Sequence, residues 1–476
     1  LSGDQEPTRA PEDRLATASR APGERRRPAD LGDFLAAHLA HPVRLVPLAF
    51  LGAIAVGTGL LCLPAAHAPG RVDVLAAAFT TVSAVCVTGL TTVDTATYWT
   101  PLGQVIIMLL IQIGGLGIMT LATLLSLAMR GRLGLRQLDL VRAETSAVSG
   151  GDVRDILRRI IAAVAVAELL FAAVLTARFR AAYDDNLGAA AWHGLFHSIS
   201  AFNNAGFALY SDNLVGFVGD AWICWPISLA IIAGGIGYPV FLELLHAWRW
   251  PRLWSVHTRV TVGGTAALLV GGTVAYLGFE WTNPGTFGPL SVWEKLVAAT
   301  TASTVARTAG FNSVDYGQMT SAMIVITIVL MFIGGGSAGT AGGIKVTTFV
   351  LLGFVILAEV RGDRDVLVGR RRVDTSTQRQ ALAVALLAVG AVMAGTVVLV
   401  AVTGLPLDRV AFEAVSAFAT VGLSTGITPH LAPPAQIVLM LLMFIGRVGT
   451  ITVASALALR QRERRYRYPT ERAIVG

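Results

Sequence analysis

Four times along this 476-residue chain, an apolar helix-length segment is followed by a second helical stretch too short to cross a membrane. The four stretches read "DVLAAAFTTVSAV", "AAWHGLFHSISAF", "VWEKLVAATTAST" and "DRVAFEAVSAFAT". Hydrocarbon needs ~20 residues of helix to span it, so each stretch has to enter and turn back. A glycine-centred turn follows each time: "CVTGLTT" at Gly89, "NNAGFAL" at Gly206, "RTAGFNS" at Gly310 and "ATVGLST" at Gly422. Irregular backbone at that depth is tolerated only where it is buried in protein or lines a water-filled cavity. The predicted fold class is therefore an all-α polytopic membrane protein. It is built from four repeats of helix, re-entrant pore half-helix, filter loop and helix, giving eight transmembrane helices and four pore loops around one axis.

Composition agrees with that constraint. The chain is 54% hydrophobic and 14% charged, whereas soluble domains carry roughly 25% charged residues. Segments 46–63, 102–129 and 436–459 reach or approach a spanning length. Net charge is +7, but most of the arginines fall in five clusters between the apolar blocks: Arg9 to Arg27, 130–159, 249–259, 361–379 and Arg460 to Arg472. The positive-inside rule places all five in the cytoplasm, with both termini. The charge is thus topological and calls for no nucleic acid. Three cysteines in apolar segments, Cys62, Cys86 and Cys224, suggest neither a disulfide framework nor a metal cluster.

The units divide as 45–135, 152–250, 257–361 and 378–460. Residues 461–476 form a cytoplasmic C-terminal tail. Residues 1–44, rich in Pro, Arg, Ala and acids, are expected to be a disordered basic cytoplasmic tail. No apolar run follows its charged start, so no cleavable signal peptide is expected.

A second signature lies 24–28 residues beyond each turn glycine: "IGGLG" at Ile113, "AGGIG" at Ala233, "IGGGS" at Ile333 and "IGRVG" at Ile445. Two motifs recurring in register four times mark a duplicated supersecondary unit. At each turn, the half-helix points unpaired carbonyls and the negative end of its dipole inward. Successive backbone oxygens can then replace the hydration shell of a cation. Glycines that merely pack helices are the rival reading. No ring of acids lines the turns, so a monovalent cation is expected rather than calcium. Asp94, Asp212 and Asp315 fall just beyond the turns. They either raise the local cation concentration or serve as solvated or capping residues.

In the third unit the second signature expands to "GGGSAGTAGG", residues 334–343, with six glycines. Each costs nearly 1 kcal/mol in a helix relative to Ala, so this segment is expected to be a loop able to move. As a nucleotide-binding loop it fails: Lys345 is misplaced for GxxxxGK[ST], and no strand precedes it. In the fourth unit Arg447 stands where the others have Gly115, Gly235 and Gly335. A charge at that depth faces the interior or water. Arg447 could act as an electrostatic barrier and a donor to the loop's carbonyls, or sit in a structural salt bridge. Lys345 either touches the loop or snorkels to the cytoplasmic face. Arg307 is expected to brace the third turn through Glu413 or Asp315.

The four turns, "GGGSAGTAGGIK", the Arg in "IGRVGT" and the ending "YPTERAIVG" resemble the Trk/Ktr/HKT potassium transporter superfamily, closest to its KtrB membrane subunits. The resemblance covers residues 45–476. It implies a pseudo-fourfold pore with one glycine per filter loop. K+ would bind backbone carbonyls of Val87, Thr88, Gly89, Asn204, Ala205, Gly206, Thr308, Ala309, Gly310, Thr420, Val421 and Gly422. Family members with Ser in the first loop tend to admit Na+, so Gly89 implies K+ selectivity. The implied gate is an intramembrane loop comprising Gly334, Gly335, Gly336, Ser337, Gly339, Thr340, Gly342, Gly343 and Lys345, together with Arg447. The resemblance further implies K+ as the transported ion, Na+ as a candidate activator and no organic cofactor. It implies a homodimer in the inner (plasma) membrane, seated on a cytoplasmic ring of RCK-type nucleotide-binding subunits. Segments 130–159 and 361–379 are the candidate docking loops.

Two other function classes compete. A sodium- or proton-coupled symporter would want a buried acid, for which Glu168 and Glu243 are available, unless they are packing acids. A membrane enzyme would need a catalytic constellation. His193 and His197 have zinc-like i, i+4 spacing but neither an acid between them nor a third ligand nearby. The expectation is no enzyme activity.

Overall fold

The computed structural model describes residues 42–68, 70, 73–130, 150–369 and 371–449. The N-terminal tail up to residue 41, the basic stretch 131–149, the end of the fourth unit and the C-terminal tail lie outside the described residues. The chain divides into two compact units, residues 1–45 and 46–476, and apart from residues 42–45, where the first helix begins, everything below concerns the second.

The described chain is almost wholly helical; one two-residue hairpin, Leu367–Val368 with Arg371–Arg372, lies in the basic segment after the third unit. The first unit contains α1 (Pro42–Leu61), the half-helix α2 (Val74–Val85) and α3 (Pro101–Arg130). The second has α4 (Gly150–Ala182), the half-helix α5 (Leu187–Phe202), α6 (Ala221–Gly235) and α7 (Tyr238–Ala247). The third has α8 (Val256–Glu280), the half-helix α9 (Val292–Val305), α10 (Ser321–Phe332) and α11 (Val346–Arg361). The fourth has α12 (Thr375–Thr403), the half-helix α13 (Leu407–Phe418), α14 (Pro433–Phe444) and a π-helical turn, Ile445–Gly449.

Polarity is arranged inside out. The outer faces of the long helices carry apolar side chains, with Val166 66%, Val274 63% and Val397 64% exposed. The half-helices bury hydroxyls instead, among them Thr80, Thr81, Ser83, Ser198, Ser200, Thr301, Ser303 and Ser416. That is the pattern for a protein whose solvent is lipid and whose centre is wet or hydrogen-bonded. The chain is a membrane protein.

Three of the four half-helices start at a residue whose side chain caps the first amides. Asp73 accepts from the amides of Leu75 and Ala76, Asn186 from Gly188, and Ser291 forms a reciprocal capping box with Glu294. The fourth begins after Pro406 without a side-chain cap.

Eight transmembrane helices are expected, with a loop only at 334–343, and the structure differs in the number of long helices and of breaks. Among the described residues, three helices are long and apolar enough to cross a membrane: Leu157–Ala182, Val256–Glu280 and Thr375–Thr403. Paired as one broken span, α6 and α7 make a fourth. The second helices of units two, three and four are interrupted at the second signature. α6 and α7 meet at 106°, α10 gives way to a loop before α11, and α14 runs into the π-turn. At the first of these breaks Gly237 has φ +92°, a conformation closed to most side chains. Only α3 passes through its signature unbroken.

Candidate functional site: a ring of four turns and the loop beneath it

After each half-helix the backbone makes the same excursion. The residue two before the turn glycine has positive φ in all four units: Val87 (55°), Asn204 (60°), Thr308 (105°) and Thr420 (50°). The glycines follow at φ +96°, +71°, +65° and +90°. Positive φ is uncommon outside glycine, and rarest for branched residues such as Val and Thr. A surrounding structure has to over-determine it. Part of that restraint is local. Thr88, Ala205 and Val421 donate their amides to the carbonyls of Ser83, Ser200 and Ser416, at 2.8, 2.7 and 2.8 Å. The hydroxyls of Ser83 and Ser416 accept from the amides of Gly89 and Gly422, at 3.0 and 3.1 Å.

The four turns close on one another in chain order. A methyl group added to Gly89 would lie 2.4 Å from the carbonyl oxygen of Ala205, and one on Gly206 2.6 Å from that of Ala309. On Gly310 it would lie 2.7 Å from Val421 O, and on Gly422 2.0 Å from Thr88 O. Each glycine thus faces the residue just before the next glycine, and the fourth returns to the first. The structure brings the four turn glycines together with the residues that precede them, and Asn204 with Thr308.

Past the glycines the turns open into a 470 Å³ cavity lined by Gly89, Gly206 and Gly422 and by the acids Asp94, Asp212 and Asp315. Those acids have local partners too. Asp94 accepts from Ala96 N, Thr97 Oγ1 and Ser211 Oγ, Asp212 from Gly216 N, and Asp315 from Gly317 N. They are capping residues at the edge of a cavity. Behind them Glu413, 1% exposed, accepts from Ser424 Oγ (2.6 Å), Thr425 N (2.9 Å) and Thr428 Oγ1 (2.7 Å), which fixes the segment after the fourth turn.

On the other side of the ring lies the glycine-rich segment. It is a loop pinched at its base by Gly334 N on Ile344 O (2.8 Å) and Ile344 N on Phe332 O (3.3 Å). It docks into the break between α6 and α7, where Gly336 N donates to Gly235 O (2.8 Å) and Thr340 N to Gly234 O (3.1 Å). Its tip touches two turns. Thr340 Oγ1 donates to Phe202 O (3.2 Å), and a methyl on Gly342 would come 1.9 Å from Thr420 Oγ1. The Asn204 amide bridges the layers, accepting from Thr308 Oγ1 at 3.0 Å and donating to Thr340 Oγ1 at 3.0 Å. The glycines therefore serve close backbone approach as well as weak helix propensity.

Three cationic side chains hold this loop through its carbonyls. Arg447, 2% exposed, donates Nη1 to Thr340 O and Nη2 to Gly114 O (3.4 Å). Lys345 Nζ donates to Ala341 O. Arg307 departs from expectation: its Nη2 donates to Gly334 O (3.2 Å) and its Nη1 to Thr265 O (3.4 Å). Glu413 and Asp315 are engaged elsewhere, on the cavity side of the ring, whereas Arg307 precedes its turn and points to the loop side. No sequence signal marked that direction.

The competing candidates separate. Glu243 accepts from Ser255 and Thr258 hydroxyls and from Ser255 N, a capping role at the start of α8. Glu168 is buried and receives amide protons from Gln112 (2.9 Å) and Asn203 (2.9 Å), one residue from Asn204. His193 pairs with Asp184 (2.9 Å), and His197 with the carbonyl of His193 and the amide of Leu209. No metal-binding cluster of His, Cys, Asp and Glu occurs among the described residues.

The TrkH family model, described as cation transport protein, matches residues 56–464. The chain belongs to that family. It is 37% identical to Ktr system potassium uptake protein B of Bacillus subtilis over 91% of this chain and 97% of that one. The same protein of Vibrio alginolyticus is 38% identical over 91% and 94%. Potassium/sodium uptake protein NtpJ of Enterococcus hirae is 34% identical over 91% and 97%. The crystal structure of the potassium transporter TrkH from Vibrio parahaemolyticus superposes with a TM-score of 0.70 at 16% identity, covering 87% of this chain and 83% of that one, a shared fold. These relatives are transport proteins, and a TrkH family member is a transporter and not an enzyme.

Proposed function

We propose that this chain is the pore-forming subunit of a potassium uptake system in the cell's inner (plasma) membrane, with both termini cytoplasmic. In this reading each of the four units crosses the membrane twice around a re-entrant half-helix. K+ sheds its water onto carbonyls of residues 87–89, 204–206, 308–310 and 420–422, and residues 334–343 with Lys345 and Arg447 form the gate. The carrying observation is the cyclic contact of the four glycines, each against the next turn's carbonyl. Backbone oxygens arranged around an axis suit a monovalent cation. Three cationic groups below the ring, with no acid paired to any of them among the described residues, would raise a barrier to a cation there. The loop carbonyls that receive them would be released when the loop withdraws.

The names of the relatives support K+ as the cargo, and one names Na+ as well. From the resemblance of its motifs we further propose a homodimer on a ring of RCK-type nucleotide-binding subunits, with Na+ as a candidate activator; the relatives' names extend only to membership of a Ktr system. The segments 130–159 and 361–379 would be the docking surfaces. A coupled symporter is the second reading, favoured by one observation: Glu168 is a buried acid with amide donors and, among the described residues, no ion pair to a cation. It predicts uptake driven by a Na+ or proton gradient and abolished in Glu168→Gln.

The test is rubidium uptake into liposomes holding the purified protein, with K+ and Na+ as competitors, for wild type and Gly310→Ser. Selective flux that the substitution abolishes or renders unselective supports the pore. Flux that the substitution leaves unchanged sinks the filter assignment.

A further inference from the structure

Arg307 is joined to both layers of the site. It follows Ala306, the C-cap of α9, and precedes Thr308, the positive-φ residue of the third turn. Its guanidinium is 6% exposed and reaches Gly334 O, at the first glycine of the loop, and Thr265 O on α8. Among the described residues no carboxylate pairs with it, and its Nε has no partner. Beside it lies a 20 Å³ cavity lined by Asn204, Thr265, Thr304 and Gly335. A buried guanidinium without a counter-charge is costly, so a purely structural brace would be better made by an apolar side chain. What the charge adds here is a charge-assisted bond, 3.2 Å long, to a carbonyl of the proposed gating loop.

We infer that Arg307 is a second latch of the gate, a positioning residue that holds the entering end of the loop while Arg447 holds its tip. Because Arg307 belongs to the third turn, the latch also ties the loop's resting position to the shape of that turn. The inference rests on the gating-loop reading given above. It differs from a role in ion selection: among the described residues the guanidinium's hydrogen bonds go to the loop and α8, not to the other three turns.

The experiment is rubidium influx into liposomes containing the full chain without partner subunits. Wild type, Arg307→Gln, Arg307→Lys, Arg307→Gln with Arg447→Gln, and a protein with residues 334–343 shortened would be compared. Losing a charge-assisted bond to the closed loop should raise basal influx roughly tenfold in Arg307→Gln, given typical strengths of such bonds. The K+ over Na+ competition ratio should not change. Arg307→Lys keeps the charge without the fork and should give an intermediate rise, which also serves if the Gln variant fails to fold. The double variant should not exceed the shortened-loop protein. Lower influx or altered selectivity in Arg307→Gln would make Arg307 a brace of the third turn and overturn the latch. Unchanged influx in both Arg307 variants, with a rise on shortening the loop, would overturn it too. No rise on shortening the loop would overturn the gate reading itself, and the latch with it.

Discussion

Gly422 faces the carbonyl oxygen of Thr88 so closely that a methyl group on it would sit 2.0 Å from that oxygen. The last turn of the chain thereby closes onto the first, and no side chain fits between them. Gly422→Ala meets both that oxygen and a φ of +90°. Strain of this kind costs about 1–3 kcal/mol. We expect the variant to be extracted from membranes folded, with its preference for K+ over Na+ reduced about tenfold or more. Competition by Na+ in rubidium uptake measures it. An unchanged ratio would show that the ring does not select.

The loop's tip is as tightly placed as the ring. An added methyl on Gly342 would collide with Thr420 Oγ1 and come 2.6 Å from Ala419 O. Gly342→Ala should therefore push the loop off the fourth turn and raise basal flux while leaving selectivity intact. A silent or less active variant would mean that the loop does not obstruct the path.

Arg447→Ala removes a donor to Thr340 O and to Gly114 O together with a buried charge. Both effects lower the barrier, and flux should rise about tenfold or more, by the strength of a charged hydrogen bond. Equal uptake rates in variant and wild type would exclude the barrier role.

Glu413 gathers three protein hydroxyls and one amide on its two oxygens. Glu413→Gln puts an N–H where donors converge. Each unsatisfied buried group costs about 1–3 kcal/mol, so thermal unfolding in detergent should occur several degrees lower than in wild type. Asp212→Asn, at an exposed cap, should shift it far less.

Neutralising the mouth tests steering. Asp94→Asn, Asp212→Asn and Asp315→Asn together retain side-chain oxygens for capping but remove the charge facing the 470 Å³ cavity. Uptake at low K+ should fall in dilute buffer, and the difference should vanish near 1 M ionic strength, where the screening length is about 3 Å. A deficit that persists at high salt would point to lost structure instead.

How much of this was legible depends on what each feature requires. The turns could be read because a half-helix too short to span, followed by glycine, has few solutions in a membrane, and four copies fixed the register. The loop at 334–343 could be read as a break because six glycines defeat a helix. The break between α6 and α7 was less visible, although Pro239 at the start of α7 is a residue that favours a first helical turn. The π-turn at Ile445–Gly449 left no signal beyond Arg447 itself. The partners of Arg307 could not be read at all. Which side of a turn a long side chain takes is decided by α8 and the loop, more than twenty-five residues away on either side.

The inequality of the four units has one more consequence. In a channel assembled from four identical subunits, any substitution in the gene is installed on every wall at once. On the pore reading proposed above, all four walls are encoded in one reading frame, and only the third unit has a glycine loop and only the fourth an arginine at the signature. Each inherited change therefore touches a single quadrant. Selection could adjust how readily the path opens through one wall while the other three kept the dimensions that recognise the ion.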